Sequence, residues 1–215
     1  VARTKAAVSA RIAGQLVYLG VHEGSHVRSG EIVARITSDA YAAATEAANA
    51  EVERVRVDLA QAKRELERAR ALRDQQVLAA REFEDAQTRA DAALAQLNSA
   101  LAQLKVAQAN LENTNVRAPF EGTVLRKDAE VGEIVAPSAA GGGLTRTAIV
   151  TIADLATLEV EVDVNEAYIA QIRNGQDARV TLDAYPDTSF QARVRQIVPT
   201  ADRQKATVLV KVSIL

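Results

Sequence analysis

Residues 39–113 constrain this chain more than any other stretch: 75 consecutive positions without Gly or Pro, in a chain that has 10 and 4 of them. Twenty-two of these positions are Ala, and Leu, Glu, Gln, Arg and Asp supply most of the rest, a mix dominated by good helix formers. Small and apolar residues recur at Ala48, Val52, Val55, Leu59, Ala62, Leu66 and Ala69, and again at Phe83, Ala86, Ala90, Ala93, Leu97, Ala100, Leu104, Ala107 and Leu111. Both series keep the alternating three- and four-residue spacing of a coiled coil. The period lapses between Asp74 and Ala80, where the chain can reverse. At about 1.5 Å per residue each arm is roughly 50 Å long, too thin to bury its stripe except against the other arm. The expected element is an antiparallel two-helix hairpin.

The flanks read as β. Val8, Ala10 and Ile12 alternate with polar or small residues, Gly14 breaks the run, and Val17, Leu19 and Val21 alternate again. Glu23-Gly24-Ser25 reads as a turn, Val27, Gly30 and Ile32-Val33 complete a strand pair, and Ser38 and Asp39 are N-cap candidates for the first helix. After the hairpin the pattern returns: Val116, Ala118, Phe120 and Gly122 repeat Val8, Ala10, Ile12 and Gly14 at an offset of 108. Gly132-Glu133-Ile134-Val135 repeats Gly30-Glu31-Ile32-Val33 letter for letter at an offset of 102, which makes the second copy six residues shorter in its middle turn. Two matching halves around an insertion imply one small β domain of quasi-two-fold symmetry, closed when the hairpin brings the halves together. Val8, Ile12 and Val33 should then share a core with Val116, Phe120 and Val135.

From residue 154 a third region begins. Leu158, Val160, Val162 and Val164 alternate, Asn165 can cap a short helix over Glu166–Ile172, and Asn174-Gly175 stops it. Strands are expected over Ala178–Leu182, Phe190–Val198 with Pro199 ending it, and Thr207–Ile214, which together suggest a small antiparallel barrel or sandwich, a barrel here lacking a closing strand. The fold class is α+β.

Composition excludes several functions. With 26 basic and 28 acidic residues and 3% aromatics, nothing favours nucleic acid. Zero cysteines rule out a disulfide scaffold or a thiolate metal site. No run of 18 apolar residues spans a bilayer, and a start at Val1 without a signal-peptide pattern reads as a mature or trimmed chain whose anchor lies upstream.

Ala13-Gly14, the run from Glu23 to Gly30 and the run from Arg117 to Val124 resemble the paired lipoyl half-motifs of the periplasmic adaptors, or membrane fusion proteins (HlyD-like), of tripartite efflux pumps and type I secretion. Val162–Val164, the helix from Glu166, and Gly175–Val180 look like that family's β-barrel. The resemblance implies a lipoyl-like domain from 1–38 and 114–153, the hairpin over 39–113, and a partial barrel over 154–215. It further implies a non-enzymatic periplasmic protein with no cofactor. Such a protein is held at the inner membrane by a segment absent from this sequence, and works as a homo-hexamer between an inner-membrane transporter (ABC or RND type) and a TolC-type outer-membrane channel. A coiled-coil scaffold or tether remains the alternative. A lipoyl or biotinyl carrier is disfavoured, because the place of its modified Lys holds 75 residues of helix.

Two motifs invite chemistry without its context. His22-Glu23-Gly24-Ser25-His26 has the letters of a zinc-protease motif, which needs a helix to put both imidazoles on one face; Gly24 and flanking strand alternation favour a surface turn, with no metal site. Gly141-Gly142-Gly143 lacks the Gly-Lys-Ser/Thr of a phosphate loop and reads as a loop tip. The family's channel-docking pattern is Arg, three residues, Leu, six residues, Ser. Arg68 and Leu72 fit it, whereas Ala79 stands where the Ser would be. A Ser there would cap the second helix, with Glu82 completing a capping box. The coiled-coil stripe places Arg73, not Leu72, at the next core position.

Overall fold

A computed structural model describes residues 1–137, 148–183, 185–202 and 207–214. In chain order the first β elements are β1 (Lys5–Ser9), β2 (Gly14–Leu19), β3 (His26–Val27) and β4 (Ile32–Ile36). The hairpin follows as α1 (Asp39–Asp74) and α2 (Ala80–Glu112), then β5 (Asn115–Arg117), β6 (Gly122–Lys127), β7 (Ile134–Val135) and β8 (Ala148–Ala153). The last region holds β9 (Glu159–Asn165), α3 (Glu166–Ile169), β10 (Asp177–Leu182), β11 (Tyr185–Asp202) and β12 (Thr207–Ile214).

Two four-stranded antiparallel sheets, in the orders β1-β8-β6-β3 and β5-β4-β2-β7, enclose one core drawn from both sides of the hairpin. Leu16, Ile36, Ile149 and Ile152 are its largest fully buried side chains. Val8, Ile12, Val33, Val116 and Val135 lie in this core as expected, while Phe120 packs against it only half-buried.

The two-fold repeat is closer than the sequence suggested, and its register differs. Val27 pairs with Gly122 and Val135 with Gly14, so β3 corresponds to β7, again at an offset of 108. The backbone agrees: Gly24 N–H donates to Val124 C=O at 2.8 Å, and Gly132 N–H donates to Leu16 C=O at 2.7 Å. Gly24 and Gly132 both take positive φ, +83° and +103°, which a turn of this shape requires of a residue without Cβ. The letter match between Gly30–Val33 and Gly132–Val135 is therefore not the structural equivalence. β4 corresponds instead to β8, at an offset of 116: Ala34 pairs with Val116 and Val150 with Val8. The second copy is thus eight residues longer, between β7 and β8, rather than six shorter. Gly141-Gly142-Gly143 falls in that connection, outside the described residues.

Strand facing differs too. Ladder irregularities at Leu16/Tyr18 and, at the equivalent place, Val124/Arg126 turn Val17 and Leu125 outward while Leu16 and Val124 are buried. A bulge reverses the alternation that the sequence pattern extrapolates.

In the hairpin the expected stripes face each other: Val52, Val55 and Leu59 of α1 and Ala86, Ala90, Ala93 and Ala100 of α2 are buried. Small Ala side chains let the helices approach closely. At the root Ser38 stands at the N-cap, but its side chain makes no capping bond. Thr37 N–H donates to Gln15 C=O at 2.9 Å and Tyr41 Oη donates to Ala13 C=O at 2.8 Å, so β2 and the loop before it tether the helix instead.

The third region is an antiparallel sheet in the order β10-β11-β12-β9, curled around Ala192, Val194, Val210 and Val212. Asn165 Oδ1 accepts from Ala167 N–H and starts α3. The helix stops at Ile169, three residues short of the expectation, where i→i−3 bonds at Gln171 and Ile172 tighten the last turn. Pro199 does not end its strand: β11 continues to Asp202 with a ladder slip between Val198 and Ala201, which accommodates the missing N–H. Val160 and Val164 face this core, but Leu158 and Val162 are exposed and Glu159 is buried, 4% exposed. Arg195 and Lys211 each lie 3.1 Å from the Glu159 carboxylate. Lys211 also donates to Glu161 and holds that carboxyl below its ordinary range.

Candidate functional site

The far end of the hairpin gathers the three residues singled out by sequence. Arg68 and Leu72 lie one turn apart on α1, and Ala79 stands across the turn as the N-cap residue of α2. Both ends at this turn are shaped by the backbone. Gln76 N–H donates to Arg73 C=O at 2.8 Å and Val77 N–H donates to Leu72 C=O at 3.0 Å, the paired bonds of a Schellman termination. That motif needs a left-handed residue after the C-cap, and Gln76 supplies it at φ +59°, where glycine is usual. Ala79 has the extended backbone of an N-cap, φ −65° and ψ 144°, but makes no side-chain capping bond.

Leu72 is 42% exposed, so it does not close the coiled-coil core. Arg73, on the stripe, is exposed as well, but its guanidinium lies over the Phe83 ring, 4.4 Å from the centroid, and joins the last turn of α1 to the first of α2. Val77, which the sequence reading passed over, is the most exposed large apolar residue of the tip at 73%. Its signal was available: a β-branched residue in the reversal itself, directly after Gln75-Gln76 and off both stripes.

Charges along the arm divide in two. Arg54 is engaged by Glu51 at 2.7 Å and Asp58 at 2.8 Å, and Arg56 by Glu53 at 2.7 Å. The Arg54 side-chain hydrogen bond holds the Glu51 carboxyl below its usual range. Toward the tip, Arg68 makes no ion pair or hydrogen bond among the described residues, and it lines a shallow depression with Arg64, Glu67 and Ala71.

The His22–His26 segment forms a turn leading into β3, with Gly24 at φ +83° between the histidines, so the helical face of a zinc protease does not exist here. His26 Nε2 lies 3.1 Å from Glu121 Oε1.

Residues 4–150 match the RND MFP barrel-sandwich hybrid domain, two-thirds of the chain, and residues 157–215 match the CusB-like β-barrel domain. The chain belongs to the membrane fusion protein family of periplasmic adaptors. Members of this family are non-enzymatic structural linkers of efflux pumps. Among relatives of this membrane fusion protein, the nodulation protein NolF of Rhizobium meliloti is 28% identical over 212 residues, covering 98% of this chain and 55% of NolF. The multidrug resistance protein MdtA of Erwinia amylovora is 27% identical over 195 residues, covering 90% and 47%. The macrolide export protein MacA of Yersinia pestis is 28% identical over 215 residues, covering 93% and 56%. The chain thus spans about half the length of these relatives. In fold it resembles MacA from Actinobacillus actinomycetemcomitans, with a TM-score of 0.83 at 20% identity over 99% of this chain and 69% of that one. It also resembles the membrane fusion protein Spr0693 from Streptococcus pneumoniae R6, with a TM-score of 0.75 at 20% identity over 99% and 90%. Among the described residues no helix is long and apolar enough to cross a membrane.

Proposed function

We propose that this chain is the periplasmic adaptor of a tripartite efflux or secretion pump, linking an inner-membrane transporter of ABC or RND type to a TolC-type outer-membrane channel. In this reading the split β unit (1–38 and 114–153) and the barrel (154–215) stack with other copies into a hexameric ring. The hairpin (39–113) reaches the channel, and a segment outside this sequence holds the protein at the inner membrane. Energy comes from the transporter, and substrate passes without covalent change. The observation that supports the reading is the tip: exposed Leu72 and Arg68, which has no intramolecular partner among the described residues, stand one turn apart at the end of an arm whose ion pairs at Arg54 and Arg56 lie nearer its root. The family's Ser is Ala79, so any docking through this tip does without that hydroxyl.

The reading is tested by complementing a deletion strain. Leu72→Asp and Arg68→Asp should leave helicity and melting temperature nearly unchanged while abolishing export. Export that survives Leu72→Asp, or a hairpin that unfolds because of it, would falsify the tip assignment. A coiled-coil tether, the other reading, predicts that neither charge reversal touches export.

A further inference from the structure

The tip poses a mechanical problem. A two-helix arm roughly 50 Å long must present its last turn in one conformation, and the hydroxyl cap that would fix the start of α2 is absent at Ala79. We infer that the tip is an apolar pair, Leu72 and Val77, held in place by the Arg73–Phe83 stack, and that Val77 is a contact residue in its own right. This rests on the docking reading above and specifies the surface that the tip fits.

Three observations carry it. The Schellman bonds bring Val77 back onto Leu72, N–H to C=O at 3.0 Å, and in this motif the residue after the left-handed position and the one five before it are the usual apolar neighbours. Both side chains are exposed, 42% and 73%, although an apolar contact of this kind ordinarily shields its members. The second observation is Arg73 itself. The stripe runs on to Arg73, which stays exposed, and its guanidinium lies over Phe83 at 4.4 Å, so a cation–π contact stands where apolar packing would otherwise join the two helix ends. It ties together the helix ends that the missing cap leaves loose, and it lies in sequence between Arg68-Leu72 and the turn. The third is Arg68, a turn below Leu72 and, like Arg64, Arg70 and Arg81 near the tip, without an acidic partner among the described residues, whereas Arg54 and Arg56 nearer the root are paired.

Together these describe the complement. The partner surface offers an apolar notch for Leu72 and Val77, with a carboxylate or carbonyl acceptor about one helical turn, roughly 5 Å, to the side for Arg68. Leu72 and Val77 supply burial, Arg68 supplies direction, and Arg73 acts as a positioning residue that never touches the partner.

The experiment uses the full chain and, as probe, a purified TolC-type channel in nanodiscs. Val77→Asp should weaken binding by about tenfold or more, the cost of placing a charge where a Val is buried, with far-ultraviolet circular dichroism unchanged. Arg73→Gln should speed amide exchange of residues 72–80 about two- to five-fold, as the loss of one cation–π contact implies, and leave residues 52–66 as in the wild type. Arg73→Lys should restore part of the protection, which a role of Arg73 in bulk alone would not produce. Wild-type binding with an undiminished Val77→Asp overturns the contact role, and unchanged exchange in Arg73→Gln overturns the clasp. In both cases the docking reading survives. A wild type that does not bind takes the docking reading and this inference down together.

Discussion

At Gly14 and Gly122 a side chain has no room. A Cβ on Gly14 would lie 2.5 Å from Ile36 Cγ2, and one on Gly122 would lie 2.6 Å from Ala153 C=O and 3.1 Å from Ile152 Cγ2. The two glycines occupy equivalent places, as do Ile36 and Ile152, so each half crosses its own strand at the same close approach. Core contributions at this scale follow burial rather than size. Leu16, fully buried, should cost about 2–5 kcal/mol on truncation to Ala in denaturant melts. Phe120→Ala should cost less than the 3–5 kcal/mol typical of a buried Phe, because its ring is half in solvent. A Phe120 loss larger than that of Leu16 would contradict this ordering. At the tip, Ala79 already has N-cap geometry and lacks only an acceptor. Ala79→Ser should therefore add about 1 kcal/mol to hairpin stability, read as a higher thermal midpoint, without reducing export.

At the scale of elements, the hairpin is held by shape more than by charge. Its inner face alternates Val and Leu with Ala, and Ala86, Ala90, Ala93 and Ala100 are buried because the partner helix lies directly over them. Enlarging one should force the helices apart: Ala90→Leu should destabilise the arm by about 1–3 kcal/mol despite its better hydrophobicity. Helical ellipticity against temperature gives the check, and unchanged melting would mean the helices are less closely packed than described. The surface pairs at Arg54 and Arg56 contribute little by comparison, since solvent screens them.

At the scale of the whole molecule, the hairpin is an insertion and not a foundation. Among the β-unit core residues only Tyr41 comes from it, and Tyr41 is partly buried. The strands on either side meet without it: Arg35 pairs with Asn115, and Ile36 N–H donates to Thr114 C=O at 2.9 Å. Replacing residues 38–113 by an Asn-Gly turn should leave a β unit that folds and unfolds cooperatively, with β4 and β5 joined as a hairpin. Amide dispersion in a nitrogen–proton spectrum would show it, and a collapsed spectrum would mean that the arm is needed for folding. On the proposed function such a chain should also lose all export, since it lacks the arm that is proposed to reach the channel.

The sequence by itself determined the hairpin, its stripes, the reversal, the repeat and the order of regions, because each is written in local periodicity and composition that neighbouring residues enforce. Leu72 lay off the stripe in the pattern and is exposed in the structure for that reason. Tertiary structure alone decided which copies are equivalent: four matching letters pointed to Gly30–Val33, but strand pairing makes His26–Val27 the counterpart of Ile134–Val135. Register is fixed by hydrogen bonds between segments about 100 residues apart, which no local pattern encodes. The same holds for Val17, turned outward by a bulge, and for Glu159, buried because Arg195 and Lys211 reach its carboxylate from other strands. At the tip the stripe pointed to Arg73 as the next core position, but in the structure it is exposed, with its guanidinium over the Phe83 ring of the second helix, a contact that the pattern of one helix does not encode.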